Sequence, residues 1–235
     1  MRMLCLISLL LVCCSCAKDE EVVKTFDLEK FDKIEFDDSF EVRFHTSREF
    51  RIVARGTDRF IDELEVLSRG DSILVENKVK RAWLRPESNK VVLDVYCDSI
   101  SQIRANESCL ISSIDTLRSD DLLLIVGSKL NVADLKINCT VFGYYNLFPC
   151  SGSMTFSGKA NQLNIWNDAL MEVDASSLTT PSALIENKSA ATCSAHVTDQ
   201  LRYSILNRGD IILSGNPPII EATDTSGEGQ LIILP

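Results

Sequence analysis

A chain of 235 residues is long enough for one elongated domain or two small ones, and 45% hydrophobic residues supply a core, which excludes a disordered chain. A formal charge of −10 disfavours nucleic acid and anionic membrane surfaces as partners. Of nine cysteines, only Cys97, Cys109, Cys139, Cys150 and Cys193 lie beyond the N-terminal segment. They form no CxxC or Cys/His spacing and mostly sit in apolar strand patterns, so they read as small buried hydrophobes before a disulfide or a metal set.

Residues 1–15 read as a secretion signal. Arg2 gives a positive start, Leu4 to Val12 is an apolar run too short to span a bilayer, and Ser15 is a small residue before Cys16. This stretch resembles the lipobox of bacterial lipoproteins, although Cys13 stands where that family usually has Leu. The resemblance implies acylation of Cys16 and attachment to a membrane through an N-terminal lipid. Residues 16–25 read as an acidic tether. Within it Lys18-Asp19-Glu20-Glu21 is similar to the export signal of certain Gram-negative surface lipoproteins, which implies an outer-membrane, surface-exposed location.

Residues 26–95 alternate with period two, as in Phe40-Glu41-Val42-Arg43-Phe44 and Phe50-Arg51-Ile52-Val53-Ala54, with turn signals at Asp37-Asp38-Ser39 and Arg69-Gly70-Asp71. They are expected to form an N-terminal β region, with one short helix or turn within Asp58 to Leu67. Residues 96–235 carry a repeat of about 20 residues. Ile165, Ile185 and Ile205 recur at one period, followed by Asn167, Asn187 and Asn207, with Gly227 continuing the series. Met171, Ala191, Ile211 and Leu231 form a further column, and Val173, Cys193, Leu213 and Ile233 another. Cys139 to Ala160 fits only as an irregular coil. Short strands with Asn, Gly or Ser at the corners fit the stacked coils of a parallel β-helix, the asparagines tolerating left-handed backbone and bonding the coils above and below. A β-sandwich is the structural alternative.

Phe31-Asp32-Lys33-Ile34-Glu35-Phe36, Ser39-Phe40-Glu41-Val42 and the closing Asn207-Arg208-Gly209-Asp210…Ser214-Gly215-Asn216-Pro217 resemble the family described as a putative auto-transporter adhesin, head GIN domain. The likeness runs from about Phe26 to Leu234. It implies an all-β chain, a right-handed parallel β-helix with coils of about 20 residues, and no catalytic residues. The turns that carry Ser-Gly-Ser-Gly in the family read Asn106-Glu107-Ser108, Asn167-Asp168-Ala169 and Asn187-Lys188-Ser189 here.

Chemistry is sparse. His45 and His196 lack a nucleophile with a third orienting group, no zinc or phosphate-loop spacing occurs, and no cofactor is implied. The acidic pairs Asp37-Asp38 and Asp120-Asp121 read as solvated turns, with polysaccharide-active chemistry the sharper alternative. Tyr144, Tyr145 and Trp166 are the candidate glycan contacts, rings pushed outward from the irregular coil and the coil after it, although stacking in the core is the commoner fate of such rings. Lys78 to Pro86, with Trp83 at its middle, is a basic island that reads as a charged hairpin tip. The expected activity is non-catalytic, adhesin-like binding of a glycan or host-matrix ligand. An envelope protein-interaction scaffold is the first alternative and a polysaccharide-active enzyme the second.

Overall fold

The computed structural model describes residues 20–79, 90–127, 129–147 and 149–235. The signal segment, Cys16, Lys18, Asp19 and the basic island from Lys80 to Pro86 lie outside the described residues. About 70% of the chain is strand and 2% helix, and parallel bridges about 21 residues apart build a β-solenoid of about six turns. This is the parallel β-helix that the repeat predicts.

The alternation of the sequence sets which side chains face inward. β2 (Lys33–Phe36) buries Ile34 and Phe36, and β3 (Glu41–Thr46) buries Val42 and Phe44, while the residues between them face out. β2 pairs in parallel with β6 (Ser72–Asn77) on one side and with β8 (Gln102–Ala105) on the other. β3 likewise lies between β7 (Val92–Cys97) and β9 (Leu110–Ser113). The first coil therefore joins the repeats without a break in hydrogen bonding.

Beyond β6 and β7 the strand direction reverses. β4 (Arg51–Thr57) pairs antiparallel with β7, β1 (Glu21–Asp27) antiparallel with β4, and β5 (Leu64–Arg69) antiparallel with β6. Between β4 and β5, α1 (Asp58–Asp62) lies against β1 and β4 and sends Phe60 and Ile61 into the core. β1 begins at Glu21, so the last five residues of the segment expected to be tether are paired strand instead. The helix is a single short element, as the spacing of Phe60, Ile61 and Leu64 suggests, and Leu64 already opens β5.

The other direction is a stack of parallel coils: β10 (Leu117–Val126), β11 (Lys129–Asn146), β12 (Cys150–Ser189), β13 (Cys193–Ile205), β14 (Ile211–Ser214), β15 (Ile219–Asp224) and β16 (Leu231–Ile233). Cys139 to Ala160 is not irregular. β11 and β12 run in one register from Lys129 opposite Cys150 to Tyr145 opposite Trp166. The step there is 21 residues, and the odd residue is absorbed at a corner where inward positions pass from Cys139 to Phe142.

The asparagine column also differs from expectation. Asn167 and Asn187 stack, with Asn167 Nδ2 donating to Asn187 Oδ1 at 3.1 Å. The column extends backward to buried Asn146, whose amide exchanges bonds with the backbone of Asp168. It does not extend to Asn207, which is exposed, because Asn187 stands opposite Ile205. Asn187 Nδ2 donates instead to Gly209 O at 3.0 Å. At Gly209 a Cβ would lie 2.1 Å from Ala191 O, so only glycine fits this close approach. Asn146, Asn167 and Asn187 have no positive φ; their value is buried amides that satisfy corner backbone groups, and Ala169 and Asn216 take the left-handed conformation. The same shift moves the other columns: Val173 stacks on Cys193, Cys193 on Ile211, and Ile211 on Leu231.

Candidate functional site

The outward positions of one sheet form a grid. One column runs Glu35, Arg104, Ile125, Tyr145 and Trp166, each in direct register with the next. A second runs Lys33, Gln102, Leu123, Gly143 and Asn164, and Val141 beside it faces Gln162. Rungs in such a sheet lie about 4.8 Å apart. The band is therefore charged at its start, apolar across Leu123, Ile125, Val141, Tyr145 and Trp166, and amide-edged at Gln162 and Asn164.

Each end of the band is engaged locally. Arg104 Nε donates to Asn106 Oδ1 at 2.8 Å and lies 3.4 Å from Glu35 Oε1, so its charge turns away from the apolar rungs. Gln162 Nε2 donates to Asn164 Oδ1 at 3.0 Å, which leaves that amide edge ordered. On the far side Lys188 lies 2.5 Å from Glu186, and this hydrogen bond raises the lysine pKa. Leu123 lies across Gly143: a Cβ there would meet Leu123 Cδ1 at 2.9 Å, so the missing side chain lets the leucine flatten the surface.

The three rings named from sequence separate. Tyr145 is 41% exposed and Trp166 half-buried, and they face out on adjacent rungs. Tyr144 is not a contact residue, since it is fully buried against Phe156, with ring centroids 5.7 Å apart. Neighbouring strand residues point to opposite faces, and Phe142, edge-to-face with Phe156 at 4.7 Å, fixes the parity that sends Tyr144 inward. Burial pushes the Tyr144 phenol upward, and its hydroxyl has no hydrogen-bond partner among the described residues. Leu123, Ile125 and Val141 complete the platform and went unnoticed in the sequence, because outward apolar residues look like core until the parity is known.

Asp120 and Asp121 lie within β10, not in a turn, and line an open groove of about 800 Å³ with Asp32, Asp98, Arg118 and Asn138. Asp37 and Asp38 occupy the bend between β2 and β3. Among the described residues no three His, Cys, Asp or Glu side chains converge as metal ligands. His196 Nδ1 lies 2.9 Å from Ser214 Oγ, and among the described residues no carboxylate bonds its other nitrogen. His45 Nε2 lies 2.9 Å from Asp94 Oδ1 and its ring stacks on Tyr96 at 4.6 Å, an arrangement that Arg55 closes by bonding the other Asp94 oxygen. All five cysteines beyond the N-terminal segment are free and buried.

The model of the family described as a putative auto-transporter adhesin, head GIN domain, matches residues 30–217. The chain belongs to this family. The head GIN fold recurs in a solved putative adhesin from Bacteroides fragilis NCTC 9343, 14% identical, covering 92% of this chain and 97% of that one with a TM-score of 0.83. A putative adhesin from Parabacteroides distasonis ATCC 8503 is 11% identical, covers 92% and 98%, and gives a TM-score of 0.65. A protein from the same organism named a putative lipid binding protein is 14% identical, covers 93% and 98%, and gives 0.64. At these identities the likeness carries the fold alone. No curated protein matches the chain. No helix among the described residues is long and apolar enough to cross a membrane.

Proposed function

We propose that this head GIN protein is a non-catalytic, adhesin-like binding protein held at the outer membrane by a lipid on Cys16, and that its Tyr145–Trp166 face takes glycans. The observation that carries the glycan reading is the direct register of Tyr145 and Trp166 on an outward apolar band edged by the amides of Gln162 and Asn164. Sugar rings present an apolar CH face to aromatic rings and hydroxyls to amides, so a flat band with this edge suits a saccharide chain lying along the stack. The adhesin names of the family and of the similar structures support binding over catalysis.

The test is a glycan array probed with the wild-type chain and with Trp166→Ala and Tyr145→Ala. Both substitutions are on the outer face, so each is expected to abolish retention of the bound saccharide while leaving the unfolding midpoint within error. Retention that survives both removes the glycan platform. Protease digestion on intact cells, with Cys16→Ala alongside, tests the anchor. Digestion is expected on intact cells for the wild-type chain, and release of the Cys16→Ala form from the membrane fraction. Protection on intact cells favours the scaffold reading, in which the exposed end of the coil stack meets another protein.

A further inference from the structure

We propose that the C-terminal end of the coil stack is a self-association face, and that its occupant is the same end of a second copy of this chain. The proposal does not depend on the glycan reading. Ile220 stacks on Leu201, Leu231 on Ile211 and Ile233 on Leu213. The lower member of each pair is fully buried, whereas Ile220 is 39% and Ile233 51% exposed. Among the described residues no coil lies above these core positions. Ile219, Ile232 and Leu234 are exposed beside them, which concentrates apolar surface on this end.

The backbone is open as well. Among the described residues β15 pairs only with β13, and β16 only with β14. Ile211 N donates to Gln230 O at 2.9 Å and Leu234 N to Leu213 O at 2.8 Å. Strand hydrogen bonds alternate in direction, so the N–H and C=O groups of Leu231 and Ile233 point away from β14. An end of this kind carries two free edges and an apolar centre.

The two edges decide the occupant. Residues 211–235 contain no aromatic ring, so the stacking that suits a saccharide is missing here. A lone extended peptide completes one edge and leaves the other unpaired. A body that offers two edges at the same separation, with an apolar centre between them, completes both, and this end of a second copy is such a body. A two-fold axis across the end makes both pairings antiparallel and self-complementary. Three carboxylates near the end have partners: Glu221 lies 3.1 Å from Arg202, while Asp224 and Asp210 accept the N–H groups of Ser226 and Gln230.

Sedimentation velocity of the full chain, in detergent at a large excess of micelles and over a series up to roughly 100 µM, tests the proposal. The wild-type chain is expected to form a dimer. Ile220→Asp combined with Ile233→Asp is expected to weaken it at least about tenfold with unchanged circular dichroism, since both side chains already meet water in the single chain. Ile233→Pro removes an outward N–H and leaves the β14 ladder intact, and the same loss is expected from it. A chain that stays monomeric throughout overturns the proposal and leaves the edges to a strand of a different protein. A dimer indifferent to both variants also overturns it, because its interface then lies elsewhere.

Discussion

The two ends of the solenoid carry the same kind of core and treat it differently. At the N-terminal end three antiparallel pairings, β1 with β4, β4 with β7 and β5 with β6, replace the parallel stack, and α1 sends Phe60 and Ile61 into the core. At the C-terminal end β15 and β16 continue the parallel pairing, and Ile220 and Ile233 are exposed. A parallel coil presents the same columns on both of its sides, so repetition cannot terminate itself. Termination takes a residue pattern that departs from the repeat, and among the described residues the antiparallel strands at the N-terminal end supply one.

The sharpest way to break this comparison is to truncate the same side chain at each end. Ile61 is 2% exposed and belongs to the central cluster, so Ile61→Ala is expected to cost about 2–4 kcal/mol in urea unfolding. Ile233→Ala at the open end is expected to stay within about 0.5 kcal/mol in the single chain. Equal costs at low protein concentration would mean that the C-terminal end is covered, and the contrast between the ends would fall.

The same contrast explains what was legible in the sequence. The period, the inward columns of β2 and β3 and the pairing of Val173 with Cys193 are visible as alternation, which is why the parallel β-helix and the family follow from residues alone. The register of the last coils is not visible. A step of 18 residues, as from Cys193 to Ile211, and a step of 20 differ by two, and two residues restore the same in–out parity. Alternation is therefore blind to the shift that takes Asn207 out of its column. The 21-residue step between β11 and β12 fails in the opposite way, since an odd count looks like a broken coil until the corner between Cys139 and Phe142 absorbs it. Tyr144 and Tyr145 were inseparable for the same reason: one must face in, and only the place of that corner says which.

A smaller effect separates the capped end from the open one through charge. Asp94 on β7 is 4% exposed and sits against His45 of β3 and Arg55 of β4, so it ties the first antiparallel cap strand to the parallel stack. Burial pushes its pKa up, but the hydrogen bonds from His45 and Arg55, with the nearby positive charge, outweigh this and hold it below the ordinary 3.8. A carboxyl depressed in the folded state lends stability above its unfolded value and loses it as pH falls through the folded value. Asp94→Asn is thus expected to cost about 1–2 kcal/mol at pH 7 and progressively less below about pH 4. Urea midpoints measured from pH 7 to pH 3 for both chains check this; parallel curves would mean that the carboxylate does not bind the cap.

Thiol labelling sharpens the comparison at the level of local opening. Cys97 lies in β7 next to the cap, and Cys193 in β13 close to the open end. Burial pushes both thiols up to about 12, with Asp98 and Asp174 adding to it, so neither is reactive in the closed fold at pH 8. Modification must wait for local opening, and its rate reads the stability of each end. Opening at Cys193 takes the loosely covered β14 and β16 away from β13, whereas opening at Cys97 takes the capping strands β4 and β1 away from β7. With the other three buried cysteines replaced by alanine or serine, Cys193 is expected to label about tenfold faster than Cys97 at low protein concentration. Raising the concentration should slow Cys193 alone, because a second copy closes the end that Cys193 reports and leaves the cap unchanged.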